Sequence, residues 1–282
     1  MFMRKLYVLS ILFVLLSGLG FAACPDGMVS YWTFDNDSVS GSTVEDVYGN
    51  NDGSIYGATP GASARVGEAF SFDGNNDYIQ LPSNIRDIIK YKSGWSYSIW
   101  VYKEPGSSKG YLLDSYATNH DEVRFPLRFD RLSLVFDDDS AGSQYINLYE
   151  TYEGDWHHII STLNESGICG YVDGNFHGCS SLSGSSTLQL DRTVVVGVRD
   201  SFIEGLVYFL DGKIDEVAIF NRALNASEVA QLYNQSSQGY DYCGTYKNTL
   251  PLSSKFTEFE STTNFSQVQN LSAVENLTLG SP

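Results

Sequence analysis

The stretch Trp156–Cys179, WHHIISTLNESGICGYVDGNFHGC, constrains the fold of this chain more than any other. It reads as three consecutive antiparallel strands. Trp156–Leu163 is dense in the aromatic and β-branched residues that suit a pleated surface. Asn164–Gly167 is a polar break. Gly167–Val172 and Asn175–Ser180 follow, joined at Asp173-Gly174. An Asp-Gly step supplies the positive φ that a tight hairpin demands. Cys169 and Cys179 stand symmetrically about that step, so they should face each other across the ladder.

The rest of the chain has the same character. With 26 Gly, 19 Tyr and 16 Phe, it looks like an all-β protein of many short strands and turns. Met28–Asp35 alternates, with Val29, Tyr31 and Thr33 on one face and Ser30, Trp32 and Phe34 on the other. Short strands are expected at Ser54–Gly57, Ala69–Asp73 and Tyr78–Leu81, then one or two helical turns over Ser83–Lys90. Trp95–Tyr102 is almost continuously apolar, which suits a central strand. Gly110–Asp114, Glu122–Phe129, Leu132–Phe136 and Tyr145–Tyr149 continue the series, with Asp137–Gly142 as a turn. Thr193–Arg199 and Leu206–Leu210 precede the last long strand, Lys213–Phe220. Alternation there places Ile214, Glu216, Ala218 and Phe220 on one face and Asp215, Val217 and Ile219 on the other.

Asn225–Gln235 is the clearest helix. Asn225 can cap it, Glu228 can close a capping box, and Val229, Leu232 and Tyr233 form its apolar face. Asn225-Ala226-Ser227 is also a glycosylation sequon. A glycan would compete with a capping bond worth on the order of 1 kcal/mol, so Asn225 is expected unmodified. After about residue 243 the composition shifts to Ser, Thr, Asn and Glu, and Asn264, Asn270 and Asn276 open sequons at a regular interval. Residues 244–282 therefore read as a disordered or stalk-like tail.

Residues 1–23 read as a secretory signal: Arg4 and Lys5, an apolar run Leu6–Leu19, and small residues up to Ala23. An uncleaved anchor and lipidation at Cys24 are the alternatives; Phe21 stands against lipidation. Export agrees with an even cysteine count. Of three pairings, the hairpin favours Cys169–Cys179, which leaves Cys24–Cys243 to tie the first strand to the end of a domain over residues 24–243. Removing Arg4 and Lys5 takes the formal charge from −17 to −19. That acidity excludes nucleic acid as a partner, since phosphates call for Lys and Arg. No membrane insertion is expected once the signal is gone.

Four segments, in order, resemble one family: YWTFD at Tyr31–Asp35, FSFDGNNDYI at Phe70–Ile79, WHHI with YVDG at Trp156 and Tyr171, and GKIDEVAIFNRAL at Gly212–Leu224 before the helix. The chain resembles the laminin G-like jelly roll of the concanavalin A-like lectin/glucanase superfamily. The resemblance implies a two-sheet antiparallel sandwich with one short C-terminal helix. It also implies a calcium ion held by loop oxygens, as in pentraxins. Asp35, Asp46, Asn50 and Asp215 are the calcium candidates, because the first and last long strands should lie side by side. The alternative for Asp215 is to accept a hydrogen bond from a loop backbone.

Catalysis finds little support. The superfamily's hydrolases carry a Glu-x-Asp-x-(x)-Glu strand, whose alternation aligns the carboxylates. Here Glu153-Gly154-Asp155 lacks the second Glu, and Asp215-Glu216 are adjacent, hence on opposite faces. His157 and His158 lie in a strand, with no Gly-x-Ser-x-Gly turn anywhere. Tyr116, His120, Tyr149 and Tyr152 lie near predicted loops, but core or edge packing accounts for them, and no ligand-binding residue is assigned. The expected function is a non-enzymatic recognition module, secreted or at the cell surface, that binds a glycan or a cell-surface protein with help from Ca²⁺. A structural or adhesion spacer comes second, and a polysaccharide hydrolase third.

Overall fold

The computed structural model describes residues 23–89, 94–107, 110–116, 122–127, 132–138, 142–148, 153–181, 190–201 and 204–248. The signal segment, the tail beyond residue 248, His120, Tyr149, Tyr152 and the side chain of Tyr116 lie outside the described residues. The chain divides into two compact units, Met1–Lys247 and Asn248–Pro282, and the fold below is that of the first.

The first strands are β1 (Met28–Trp32), β2 (Val39–Ser40), β3 (Thr43–Val44), β4 (Gly53–Tyr56), β5 (Thr59–Ser63), β6 (Glu68–Asp73) and β7 (Tyr78–Gln80). Helix α1 (Ser83–Ile89) follows, with Ile85 and Ile89 buried. Next come β8 (Trp95–Lys103), β9 (Gly110–Tyr116), β10 (Glu122–Leu127), β11 (Leu132–Asp138), β12 (Gly142–Leu148), β13 (Trp156–Asn164), β14 (Gly167–Val172) and β15 (Asn175–Ser181). The last are β16 (Val195–Val196), β17 (Arg199–Ser201), β18 (Gly205–Val207) and β19 (Asp211–Phe220), before helix α2 (Ala226–Ser236). Two antiparallel sheets stack: an eight-stranded one ordered β15-β14-β13-β8-β19-β6-β5, with β1 also on β19, and a nine-stranded one ordered β12-β11-β10-β9-β16-β7-β4-β3-β2.

The β14–β15 hairpin turns at Asp173 (φ 49°) and Gly174 (φ 76°), the left-handed pair that a two-residue turn requires. Cys169 lies directly opposite Cys179 in the ladder and is bonded to it. A second disulfide joins Cys24 to Cys243. Between the sheets lies an apolar core that includes Trp32, Phe34, Phe70, Phe72, Trp95, Tyr97, Ile99 and Val101. A second cluster covers the outer side of the eight-stranded sheet, where Tyr31, Ile160, Ala218 and Phe220 meet Val229 and Leu232 of α2 and Tyr242 beyond it.

β19 departs from simple alternation. Its pairing with β8 shifts between Asp215 and Ala218, and Glu216 takes φ 52°. This bulge inserts a residue and reverses the phase of the strand. Ile214, Val217 and Ile219 consequently all enter the inter-sheet core, while Ala218 and Phe220 face outward. The expected grouping of Ile214 with Ala218 is thus corrected. A shift between Met28 and Ser30 does the same in β1, sending Val29 to the inter-sheet core rather than to the side of Tyr31.

Candidate functional site

Part of the outer side of the eight-stranded sheet is covered by α2 and the residues beyond it. β8 directs Ser96, Ser98 and Trp100 towards α2 and the segments that flank it. The Trp100 ring stacks on His158 at 4.9 Å and on Tyr233 at 5.8 Å, and its Nε1 donates to Ser236 Oγ at 2.9 Å. Ser98 Oγ, His158 Nε2 and Tyr242 Oη lie 2.8 Å from one another. A serine beside a histidine invites comparison with a nucleophile and its base, but all three residues are buried. Burial pushes His158 down to about 3. So weak a base offers little as a proton acceptor at neutral pH, and the trio serves as a hydrogen-bonded seam. His157 is likewise structural, with Nδ1 2.8 Å from Asp173 Oδ2.

Next to this seam, Tyr31 Oη donates to Glu216 Oε2 and accepts from the Tyr242 backbone N–H at 3.1 Å. Glu216 and Asp215 are both fully buried, although they are neighbours in a strand. Burial raises both carboxyls well above the usual carboxylate range; the Asp215 charge adds to the effect on Glu216, and the Asp35 charge adds to that on Asp215. Glu216 Oε1 has no hydrogen-bond partner among the described residues, so an ionised form would be poorly solvated there. Glu153, the other acidic lead, pairs with buried Lys103, whose hydrogen bond holds its carboxyl below the usual range.

Of the four calcium candidates, Asp35 stands close enough to Asp215 for its charge to raise the Asp215 carboxyl, and Asp215 Oδ1 is buried with no hydrogen-bond partner among the described residues. Asp46 Oδ1 accepts from the backbone N–H groups of Tyr31, Tyr48 and Gly49, at 2.8, 3.1 and 2.8 Å, and Oδ2 accepts from Asn51 N–H at 3.1 Å. That carboxylate folds its own loop. Asn50 is exposed. Asp215 Oδ2 accepts from Val66 N–H at 2.9 Å, the loop-backbone role weighed for it above. Asp35 Oδ1 accepts from Glu68 N–H at 2.7 Å, and its Oδ2 lies 3.0 Å from the Lys247 ammonium. Among the described residues no three His, Cys, Asp or Glu side chains gather as a metal requires. The cation beside Asp35 is the protein's own lysine, which stands past Cys243 in a stretch that composition alone assigns to a tail.

On the outer face of the nine-stranded sheet, β4 and β7 carry partly exposed side chains. Ile55 and Ile79 pack into the core, so alternation turns Ser54, Tyr56, Tyr78 and Gln80 outward. Tyr56 and Tyr78 are cross-strand partners whose rings stack at 4.5 Å and 3° between planes. Tyr56 is 43% exposed. Burial, followed by the charges of Tyr56 and Asp200, raises the Tyr78 hydroxyl above its ordinary value, which places Asp200 near it. Asp200 is ion-paired with Arg192. Beside them, β17 packs against β9, Tyr208 stacks on Tyr111 at 6.1 Å, and Arg199 lies over the Tyr111 ring. Half-exposed phenol rings next to a guanidinium–carboxylate pair can take the C–H faces of a sugar and hydrogen-bond its hydroxyls. None of these residues was singled out from the sequence. The signal was present in GSIY and YIQ, where an apolar residue alternates with outward polar or aromatic ones.

The two-sheet antiparallel sandwich with one short C-terminal helix is a jelly roll. The chain belongs to the concanavalin A-like lectin/glucanases superfamily, matching its Laminin_G_3 family over residues 73–230. Comparison with curated proteins finds no match. Among solved structures, the receptor-binding domain of botulinum neurotoxin C/D mosaic serotype superposes with TM-score 0.60 at 14% identity, covering 74% of this chain and 51% of that one. The binding domain of botulinum neurotoxin DC in complex with rat synaptotagmin II gives TM-score 0.58 at 13% identity over 75% of this chain and 52% of that one. A Trypanosoma rangeli sialidase gives TM-score 0.56 at 17% identity over 74% and 32%. The chain therefore spans about half the length of the toxin domains it matches. At these identities the likeness is one of fold. Among the described residues no helix is long and apolar enough to cross a membrane.

Proposed function

We propose that this chain is an exported, non-enzymatic glycan-recognition module, and that the sugar docks on the outer face of the nine-stranded sheet at Tyr56 and Tyr78. The stacked tyrosine pair beside Arg192–Asp200 is the observation that carries the reading. Sugar sites combine aromatic surface with a few oriented polar groups, and this face has both. Related folds support it: cell entry of botulinum neurotoxin type C is dependent upon interaction with two ganglioside molecules, and the binding domain of botulinum neurotoxin DC forms a complex with SialylT. Two disulfides suit an oxidising compartment. A protein partner is the second reading, supported by the synaptotagmin complex.

The test is a broad glycan array with the oxidised full chain, run with calcium and after chelation. Binding to a defined glycan class is expected in both conditions, weakened severalfold by Tyr56→Ala or Tyr78→Ala, since an aromatic contact is worth about 0.5–1.5 kcal/mol beyond the area it buries. Binding that both variants retain would move the site elsewhere. No binding to any glycan would favour the protein partner.

A further inference from the structure

Besides the tail, four Asn-x-Ser sequons occur in the described residues: Asn36-Asp37-Ser38, Asn164-Glu165-Ser166, Asn225-Ala226-Ser227 and Asn234-Gln235-Ser236. They sit in different surroundings. A glycan added to the nascent chain must still lie outside the finished fold, and its sequon must not be needed for packing. Ser236 is buried, donating to Leu232 O and accepting from Trp100, and Asn234 stands within α2. Ser38 is buried with its hydroxyl on Asp35 O. Asn225 is exposed, but its Oδ1 takes three bonds, from Ser227 N–H, Ser227 Oγ and Glu228 N–H.

Asn164 differs from all three. It ends β13 at the tip of the β13–β14 hairpin, and Asn164, Glu165 and Ser166 are all exposed. Its Oδ1 accepts only the local Ser166 N–H, at 2.9 Å. That bond orients the amide, and an N-linked sugar leaves it intact because the carbonyl oxygen remains. Asn164 also belongs to the eight-stranded sheet, so a glycan there leaves Tyr56 and Tyr78 uncovered.

We infer that Asn164 is an N-glycosylation acceptor and that Asn234, whose sequon serine is buried, is not. The donor is an oligosaccharide activated on a polyprenyl phosphate. Asn164 Nδ2 forms a bond to the anomeric carbon, the carbon–oxygen bond to the lipid phosphate breaks, the phosphate leaves with the electron pair, and the displaced amide proton passes to base. The inference rests on export, but not on the glycan-binding reading.

The full chain, produced in a eukaryotic secretory host, is treated with peptide N-glycosidase in heavy-oxygen water and mapped by mass spectrometry. The Asn164 peptide should carry the heavy-oxygen Asp label, and Asn164→Gln and Ser166→Ala should each remove one glycan from the intact mass. Those variants should leave the glycan array unchanged, which keeps the two readings separable. An unlabelled Asn164 peptide, from medium or cells and whether or not Asn264, Asn270 and Asn276 are modified, overturns the inference. So does a label on Asn234.

Discussion

Glu216→Gln tests the buried acid pair directly. In the folded chain Glu216 is buried, carries no partner on Oε1, and lies beside Asp215, so its carboxyl holds a proton to well above the usual range. Unfolded, it releases that proton near about pH 4.3. The folded pKa exceeds the unfolded one. The stability linked to this group is therefore complete below the unfolded value and is lost as the pH rises towards the folded value. Each proton retained by the fold costs about 1.4 kcal/mol per pH unit over that window. The substituted amide keeps an acceptor for the Tyr31 hydroxyl and does not titrate. Urea titrations of the oxidised protein at pH 5, 6, 7 and 8 are expected to show wild-type stability falling with pH. The Glu216→Gln variant should show that slope reduced by about 1.4 kcal/mol per unit. The exposed Asp37→Asn change removes the same formal charge and should leave the slope alone. Parallel wild-type and Glu216→Gln curves would refute the reasoning.

Lys247→Met strips the ammonium from Asp35, which is only 5% exposed. Lys247 keeps some contact with solvent, so the loss is expected at about 1–3 kcal/mol rather than the full cost of a deeply buried pair, and chemical denaturation measures it. Burial works against the Lys247 charge, but the Asp35 bond outweighs it and raises the lysine above its ordinary value; its contribution should accordingly vanish only as the pH climbs through the alkaline range. Asn225→Ala removes a cap that accepts from Ser227 and Glu228 and closes a full capping box. A loss of about 1 kcal/mol is expected, read by thermal unfolding, with early loosening of the seam that α2 covers.

Much of the fold was written locally. Asp173-Gly174 dictated a tight turn, and the turn in turn placed Cys169 opposite Cys179. Asn225 and Glu228 marked the start of α2 from their spacing alone, and the apolar run at Trp95–Tyr102 announced a strand flanked on both sides. Such features depend on neighbours close in the chain, so a linear reading reaches them.

The site was decided elsewhere. Alternation assigns Asp215 and Glu216 to opposite faces, yet a bulge with a left-handed Glu216 buries both; nothing in KIDEVAIF distinguishes a bulged strand from a regular one, because the bulge answers to the partners β8, β6 and β1. The partner of Asp35, Lys247, lies more than two hundred residues away in the chain, so no linear reading reaches that ion pair. Which outward aromatic rings stay exposed also lay beyond the sequence. Both sheets turn aromatic residues outward, and only the packing of α2 and Tyr242 over Trp100 and Tyr31 determines that Tyr56 and Tyr78, not those rings, meet the solvent. The sequence by itself determined the turns, the cap and the identity of the strands, since each needs only its immediate neighbours. Burial, charge pairing and ring exposure needed the tertiary structure, because each is a relation between residues that only folding brings together.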